Sequence, residues 1–250
     1  MRVGIVGSSG RMGRALGEMI VSQDGWELGK GFSRSDGGDL ETVFQDSQYV
    51  VDVSHHGLLG SLLKAGRLSK PTPLVLCSTG WSWDEHSPQV QELAQRAPVF
   101  VAPNTSQGAF LQKKLVSLLS QSLGEDYDID IFERHHRHKK DHPSGTAREL
   151  LKGIQKSKTD HWGVDYESFP LGEGSRPPRW IGVQWERTGE TPGDHRVAFE
   201  SPQEVIEVCH RVWDRKVFVL GILRILHWLE QKKPGPGVYT MDDIFCFANI

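Results

Sequence analysis

The sequence predicts an α/β protein whose first part forms a parallel sheet covered on both faces by helices. Three observations predict it. Apolar runs of strand length alternate with stretches of helical periodicity. A glycine-rich turn follows the first run at once, and small polar residues gather where the later runs end. Beyond residue 106 the texture changes, which marks a second domain.

Val3-Gly4-Ile5-Val6 is the first run. Gly7-Ser8-Ser9-Gly10-Arg11-Met12-Gly13 follows it, and then Ala15, Leu16, Met19 and Ile20 stand at helical spacing. The order is strand, glycine turn, helix. Gly7 and Gly10 permit a tight turn and the close approach of a pyrophosphate, and Gly13 lets the helix pack on the strand. A glycine loop alone is a weak signal. With a strand before it and a helix after it, the loop points to a dinucleotide rather than to an unliganded turn.

A second strand, over 26–32, ends in Ser33-Arg34-Ser35. Folds that prefer NAD carry an acidic residue near this point for the ribose 2′-OH. Here two hydroxyls and a guanidinium stand instead, which suit a 2′-phosphate. NADPH is therefore the expected cofactor, with NADH as the alternative.

A third strand, over 49–53, ends at Ser54-His55-His56 and is followed by a helix over 58–68. The fourth, over 73–76, ends at Cys77-Ser78-Thr79-Gly80-Trp81, and the fifth, over 99–101, ends at Ala102-Pro103-Asn104-Thr105-Ser106. Open α/β sheets bind ligands at the carboxyl ends of their strands. Ser78 and Thr79, with Ala102, Pro103, Asn104 and Thr105, are thus expected to line the nicotinamide and its ribose. Taken singly, each could equally be an ordinary turn residue.

The second part of the chain reads as a helix over 110–123, a strand over 127–132, a cationic segment, and a helix that starts at Gly145-Thr146-Ala147. A long loop rich in Gly, Pro and charge spans 158–179. Antiparallel strands are expected over 180–186, 196–200 and 205–210. A helix over 214–231 is ended by Lys233-Pro234-Gly235-Pro236-Gly237.

Composition excludes several function classes. A chain of 250 residues can bury a good core, and a net charge of −3 argues against a general nucleic-acid binder. Cys77, Cys209 and Cys246 lack any Cys-x-x-Cys spacing, so neither a disulfide framework nor a structural zinc site is expected. The most apolar stretch, 217–229, is broken by Arg224 and His227 and is too short to span a bilayer. The chain enters its first strand without a signal-peptide pattern, and a cytoplasmic location is expected.

The cationic segment reads Glu133-Arg134-His135-His136-Arg137-His138-Lys139-Lys140-Asp141-His142-Pro143-Ser144-Gly145-Thr146-Ala147. Six cationic or protonatable side chains in a row, 135–140, repel one another unless an anion sits among them. Helix-start N–H groups also favour an anion, and imidazoles supply proton donors near neutral pH. A metal site fits poorly. The histidines do not reproduce a helical His-x-x-x-His, and adjacent lysines oppose a dication. A nucleic-acid patch lacks interleaved aromatics, and a solvated basic loop would leave the adjacent helix start unexplained. An anion-binding acid/base site, with Ser144, Gly145 and Thr146 as oriented donors, fits best.

The glycine loop, together with Glu133-x-His-His-x-x-Lys-x-Asp-x-Pro-Ser-Gly-Thr-Ala, resembles the 4-hydroxy-tetrahydrodipicolinate reductase (dihydrodipicolinate reductase) family, in order along nearly the whole chain. The resemblance implies a Rossmann-like dinucleotide-binding domain, residues 1–106 with 216–250. It also implies a second, mixed-sheet α/β domain, 107–215, for substrate binding and oligomerisation, which builds a homotetramer. The implied activity is NAD(P)H-dependent reduction of a small cyclic dicarboxylate in diaminopimelate and lysine biosynthesis. By position in the motif, His135 and Lys139 match the catalytic proton carriers. His136, Gly145 and Thr146 match substrate contacts, with Ser144 beside them. Gly7, Ser8, Ser9, Gly10, Arg11, Met12, Arg34, Cys77, Ser78, Thr79, Ala102, Pro103, Asn104 and Thr105 match dinucleotide contacts. The chain departs from the family pattern at Ser33, where an acidic residue is usual, at Cys77 in place of glycine, and at the extra charge of Lys140. Two rival readings are a zinc-dependent hydrolase built on the histidines and an NADPH-binding sensor without turnover.

Overall fold

In the computed structural model, which describes residues 1–35, 38–158, 163–166, 176 and 178–245, the chain divides into two units. One comprises Met1–Thr105 and the segment that begins at Lys216; the other is Ser106–Arg215.

The apolar runs of the first unit become β1 (Arg2–Val6), β2 (Glu27–Phe32), β3 (Tyr49–Asp52), β4 (Leu74–Leu76) and β5 (Pro98–Val101). A short late strand, β11 (Gly237–Tyr239), joins them, and the order β11-β5-β4-β3-β1-β2 is parallel throughout. The chain leaves β1 to one side for β2 and returns across it to β3. This reversal creates a switch point at the carboxyl ends of β1 and β3, where such sheets take ligands.

Helices α1 (Arg11–Val21), α2 (Leu40–Asp46), α3 (Leu59–Leu68), α4 (Trp83–Ala94) and α7 (Lys216–Lys232) cover the sheet. Val6, Val50, Leu74, Leu76 and Val99 share one core cluster with Phe44 of α2, Leu62 and Leu63 of α3 and Leu93 of α4. Residues of the opposite parity face the other way, because side chains alternate along a strand. Phe100, for example, meets Trp228 of α7 edge-on at 5.8 Å. Both faces are thus apolar and covered, which is why the strands read as unbroken hydrophobic runs.

The second unit contains α5 (Gln107–Ser122), β6 (Asp128–His135), α6 (Gly145–Ser157), β7 (Gly163–Tyr166), β8 (Trp180–Arg187), β9 (Gly193–Glu200) and β10 (Val205–Val212). Its sheet runs β10-β9-β6-β8-β7. The stretch expected as an antiparallel strand over 180–186 is parallel to β6, because the chain crosses over through α6 between them. β9 and β10 are antiparallel, as expected. The expected loop over 158–179 contains β7, which pairs with β8, and most of its remainder lies outside the described residues. Cys246 lies outside them too. The core joins Ile129, Ile131, Val183, Val197 and Phe199 of the sheet to Leu150, Leu151 and Ile154 of α6 and Val116 of α5. Among the described residues no helix is long and apolar enough to cross a membrane.

The join between β5 and the late segment is tight. Thr105 Oγ1 donates to the Phe218 carbonyl at 2.7 Å, and a Cβ at Gly221 would overlap the Thr105 carbonyl oxygen and sit 2.7 Å from its carbon. Gly221→Ala is expected to cost about 2–3 kcal/mol, read as a lower denaturant midpoint. An unchanged midpoint would show that α7 can shift freely.

Candidate functional site

The inward face of β6 carries Ile129, Ile131, Glu133 and His135 in alternation, so an apolar row ends in a carboxylate and an imidazole. Neighbouring strands change character at the same level. Glu133 pairs with His195 of β9 and Trp185 of β8, His135 with Arg187, and His195 with His210 of β10.

Glu133 has no exposed surface, and a bare charge there would be costly. Its Oε1 accepts from the Ser144 backbone N–H at 3.0 Å and from Arg187 Nη2 at 2.8 Å. Its Oε2 lies 2.6 Å from His135 Nδ1, an ion-pair approach rather than a straight hydrogen bond. Burial alone would raise the carboxyl, but the close His135 and Arg187 side chains outweigh it and hold Glu133 at about 2. His195 is depressed to about 3, first by burial and then by the neighbouring His135, and so stays neutral. Its Nε2 shares a 3.0 Å hydrogen bond with Ser144 Oγ.

Ser144 is the cap of α6: its hydroxyl also accepts from the Ala147 N–H at 3.1 Å. With its N–H on Glu133 and its hydroxyl on Ala147 and His195, Ser144 offers no free donor to a ligand. Gly145 is exposed, with nothing within 4 Å of a would-be Cβ, and Thr146 is half-buried. Lys139 Nζ donates to both oxygens of Asp141 at 2.8 Å, and Arg187 Nη2 reaches the Asp141 carbonyl at 2.8 Å. Burial would raise the Asp141 carboxyl, but Lys139 holds it below its ordinary value. His136 is half-buried and lowered by burial and by Arg215. Arg137, His138 and Lys140 are exposed.

Glu133, His135 and His195 also form a group whose ligand atoms lie within 4.8 Å of one another. Zinc ligands at about 2.0–2.2 Å from an ion stand roughly 3 Å or more apart. The 2.6 Å approach and the guanidinium already on Glu133 suit hydrogen bonding better.

The candidate dinucleotide residues gather at the carboxyl ends of β1 to β5. Gly7 has φ +92°, and its N–H and that of Ser8 donate to the Phe32 carbonyl at 2.7 and 3.1 Å. A Cβ at Gly13 would fall on the Gly7 carbonyl oxygen. Gly10 caps α1 without a side-chain bond, so the first-turn N–H groups at Arg11 and Met12 are left to an anion. This cradle fits a pyrophosphate. Ser9 and Arg34 are exposed, while Ser33 is buried with its hydroxyl 2.8 Å from that of Ser35.

Buried Asp52 accepts from the Ser54 N–H at 3.0 Å and from the Ser54 and Ser78 hydroxyls at 2.5 Å each, which ties the ends of β3 and β4 together. Burial, and then Asp52, push the Cys77 thiol up, so it stays protonated and inert. Thr79 and Pro103 are exposed, Asn104 is half-buried and Ala102 is buried. Thr105 is buried and its hydroxyl is engaged by α7. The rings of His55 and His56 lie 3.7 Å apart.

Arg187 and His195 were not anticipated from the sequence, and Glu133 was quoted there without a role. The available signal was polar residues at inward positions of alternating strands, as in Val183-x-Trp185-x-Arg187 and His195-x-Val197-x-Phe199.

Comparison with known proteins covers both units. A family model described as "Dihydrodipicolinate reductase, N-terminus" matches residues 1–105, and "Dihydrodipicolinate reductase, C-terminus" matches 108–245. The 4-hydroxy-tetrahydrodipicolinate reductase of Chlamydia abortus is 42% identical over 243 residues, 96% of each chain. That of Magnetococcus marinus is 35% identical and covers 99% of both chains. A solved structure, dipicolinate-bound dihydrodipicolinate reductase from Paenisporosarcina sp. TG-14, shares the fold at a TM-score of 0.75 and 20% identity, over 98% of this chain and 99% of that one.

Glu133 and His195 make the second unit sensitive to acid. Both have folded values below their ordinary ones, so the unfolded chain binds more protons as pH falls, and stability rises with pH. The window runs from 6.5 to about 3 for His195 and from 4.5 to about 2 for Glu133. The melting temperature should fall as pH drops from neutral through this range, and His195→Gln should flatten the upper part of the fall. Parallel curves for both proteins would contradict this.

Proposed function

The chain belongs to the dihydrodipicolinate reductase family, and from that premise we propose that it reduces 4-hydroxy-tetrahydrodipicolinate to tetrahydrodipicolinate, with loss of water, in lysine biosynthesis. The observation that carries the proposal is the end of β6, where His135 and the Lys139 that follows it each lie beside a carboxylate, and the carboxylate beside His135 also accepts from the cap of α6. A nicotinamide dinucleotide supplies the hydride when bound, and the residues of the first unit hold it.

The rest of the chemistry belongs to side chains. Hydride addition to the unsaturated ring carbon moves electron density toward the ring nitrogen, which must then gain a proton. His135 and Lys139 are the groups that deliver and replace it, and their positive neighbours stabilise the charge as it shifts. Gly145 and Thr146, at the N-terminus of α6, hold a substrate carboxylate, with His136 beside them. Ser144 shapes that turn from below. The dicarboxylate named in the structure of the Paenisporosarcina relative supports this class of ligand.

Gly7, Ser8, Ser9, Gly10, Arg11 and Met12 cradle the pyrophosphate. Ser78, Thr79, Ala102, Pro103, Asn104 and Thr105 line or shape the nicotinamide end, and Cys77 packs beneath it. NADPH is preferred over NADH, because exposed Arg34, with a serine on either side, suits a 2′-phosphate dianion. The protein works in the cytoplasm as a homotetramer, and light scattering in solution tests that assembly. No observation favours the zinc hydrolase or the sensor.

The assay couples aspartate-semialdehyde and pyruvate through a synthase and follows NADPH absorbance. Loss of absorbance on adding the protein is expected, and none would sink the assignment. His135→Ala and Lys139→Ala should each lower turnover about a hundredfold with NADPH affinity unchanged. Arg34→Ala should lower kcat/KM for NADPH about tenfold and leave NADH use alone. Equal effects on both cofactors would remove Arg34 from the specificity argument.

A further inference from the structure

We infer that Glu133 is a positioning residue for the reduction: its buried carboxylate fixes the imidazole of His135 through Nδ1, so that Nε2 is the nitrogen that exchanges the proton. The inference rests on the functional reading above and adds a residue to it. Three groups converge on the carboxylate: the Ser144 N–H and Arg187 Nη2 donate to Oε1, and His135 Nδ1 lies 2.6 Å from Oε2. Two of them settle one oxygen, and the imidazole takes the other.

The opposite edge of the ring faces a residue without a side chain. A Cβ at Gly193 would come within 3.2 Å of His135 Nε2 and 3.6 Å of its Cδ2, so glycine at this place leaves Nε2 uncovered. His195 closes a third side, with its ring perpendicular to that of His135 at 5.1 Å. His195, kept neutral by burial, braces the ring without adding a charge beside it. The imidazole is therefore held at one nitrogen, supported on a face, and open at the other nitrogen. A group that merely filled the core would not need this arrangement. An apolar residue would serve that purpose at lower desolvation cost.

The choice of tautomer follows from the donors. Ser144 N–H and Arg187 can only donate, so an amide at position 133 must turn its oxygen toward them. Its NH2 then faces His135 Nδ1, which must accept, and the ring proton moves to Nε2. Glu133→Gln thus keeps shape and hydrogen-bond count while inverting the tautomer, a change known to disable a histidine whose orienting carboxylate is made an amide.

The test is nitrogen-15 NMR of the His135 ring together with steady-state kinetics. In the unaltered protein, as pH is raised until the ring is neutral, Nδ1 should carry the proton; in Glu133→Gln it should be bare. The variant should lose roughly 10²–10³-fold in kcat, with little change in KM and unchanged NADPH binding. A bare Nδ1 in the unaltered protein would overturn the inference, as would a folded variant with near-normal kcat. If the variant does not fold, the spectrum of the unaltered protein decides alone. An inactive but correctly protonated unaltered protein would fail the functional reading and leave the positioning intact.

Discussion

A carboxylate without solvent must be met by donors on every side, and Glu133 is met from three directions by groups that belong to β6, β8 and the cap of α6. Each partner is thereby located relative to the others. Losing the His135 or Arg187 side chain would leave the buried carboxylate one partner short, a loss on the order of 1–3 kcal/mol. The same contacts set the angle at which α6 begins, because Ser144 is both the cap and a donor to the carboxylate. Stability and site geometry in this unit therefore depend on one group.

The location of the polar cluster also has a physical reason. Ile129 and Ile131 can pack against the sides of α5 and α6, but further along β6 the inward face meets the start of α6 instead. A helix N-terminus presents unpaired N–H groups, and an apolar neighbour would leave them unsatisfied. Charge is tolerated in the core only where donors already wait for it. The first unit solves a related problem differently. There the turn between β1 and α1 withdraws side chains, through Gly7, Gly10 and Gly13, so that backbone lines its surface. Buried Asp52 holds the neighbouring strand ends in place.

What the sequence disclosed was local. The glycine turn, the buried strands and the His-His-x-x-Lys motif are each contained within a few residues, and their chemistry follows from adjacency. What it withheld was pairing. Nothing in 180–187 tells which way that strand runs, since direction is decided by the crossover through α6. Arg187 and His195 reach the site only because β8 and β9 flank β6 in register. β11 was hidden because three residues behind Pro234-Gly235-Pro236 carry too little pattern to read as a strand. The cap role of Ser144 was half visible: its place before a helix was legible, but its engagement with Glu133 and His195 was not.

The return of the chain to its first unit sets an order of assembly. The sheet that starts with β1 needs β11 at its edge, and α7 brings Val219, Ile222, Ile225 and Leu226 into its core. Those residues leave the ribosome after the whole of the second unit, which is one continuous stretch, Ser106–Arg215. Domains close as units during synthesis. The later-starting half can therefore mature while the earlier one waits, unsealed, for its last helix, and a released chain cut off after residue 215 would carry a complete second unit and a first unit without its last helix and edge strand.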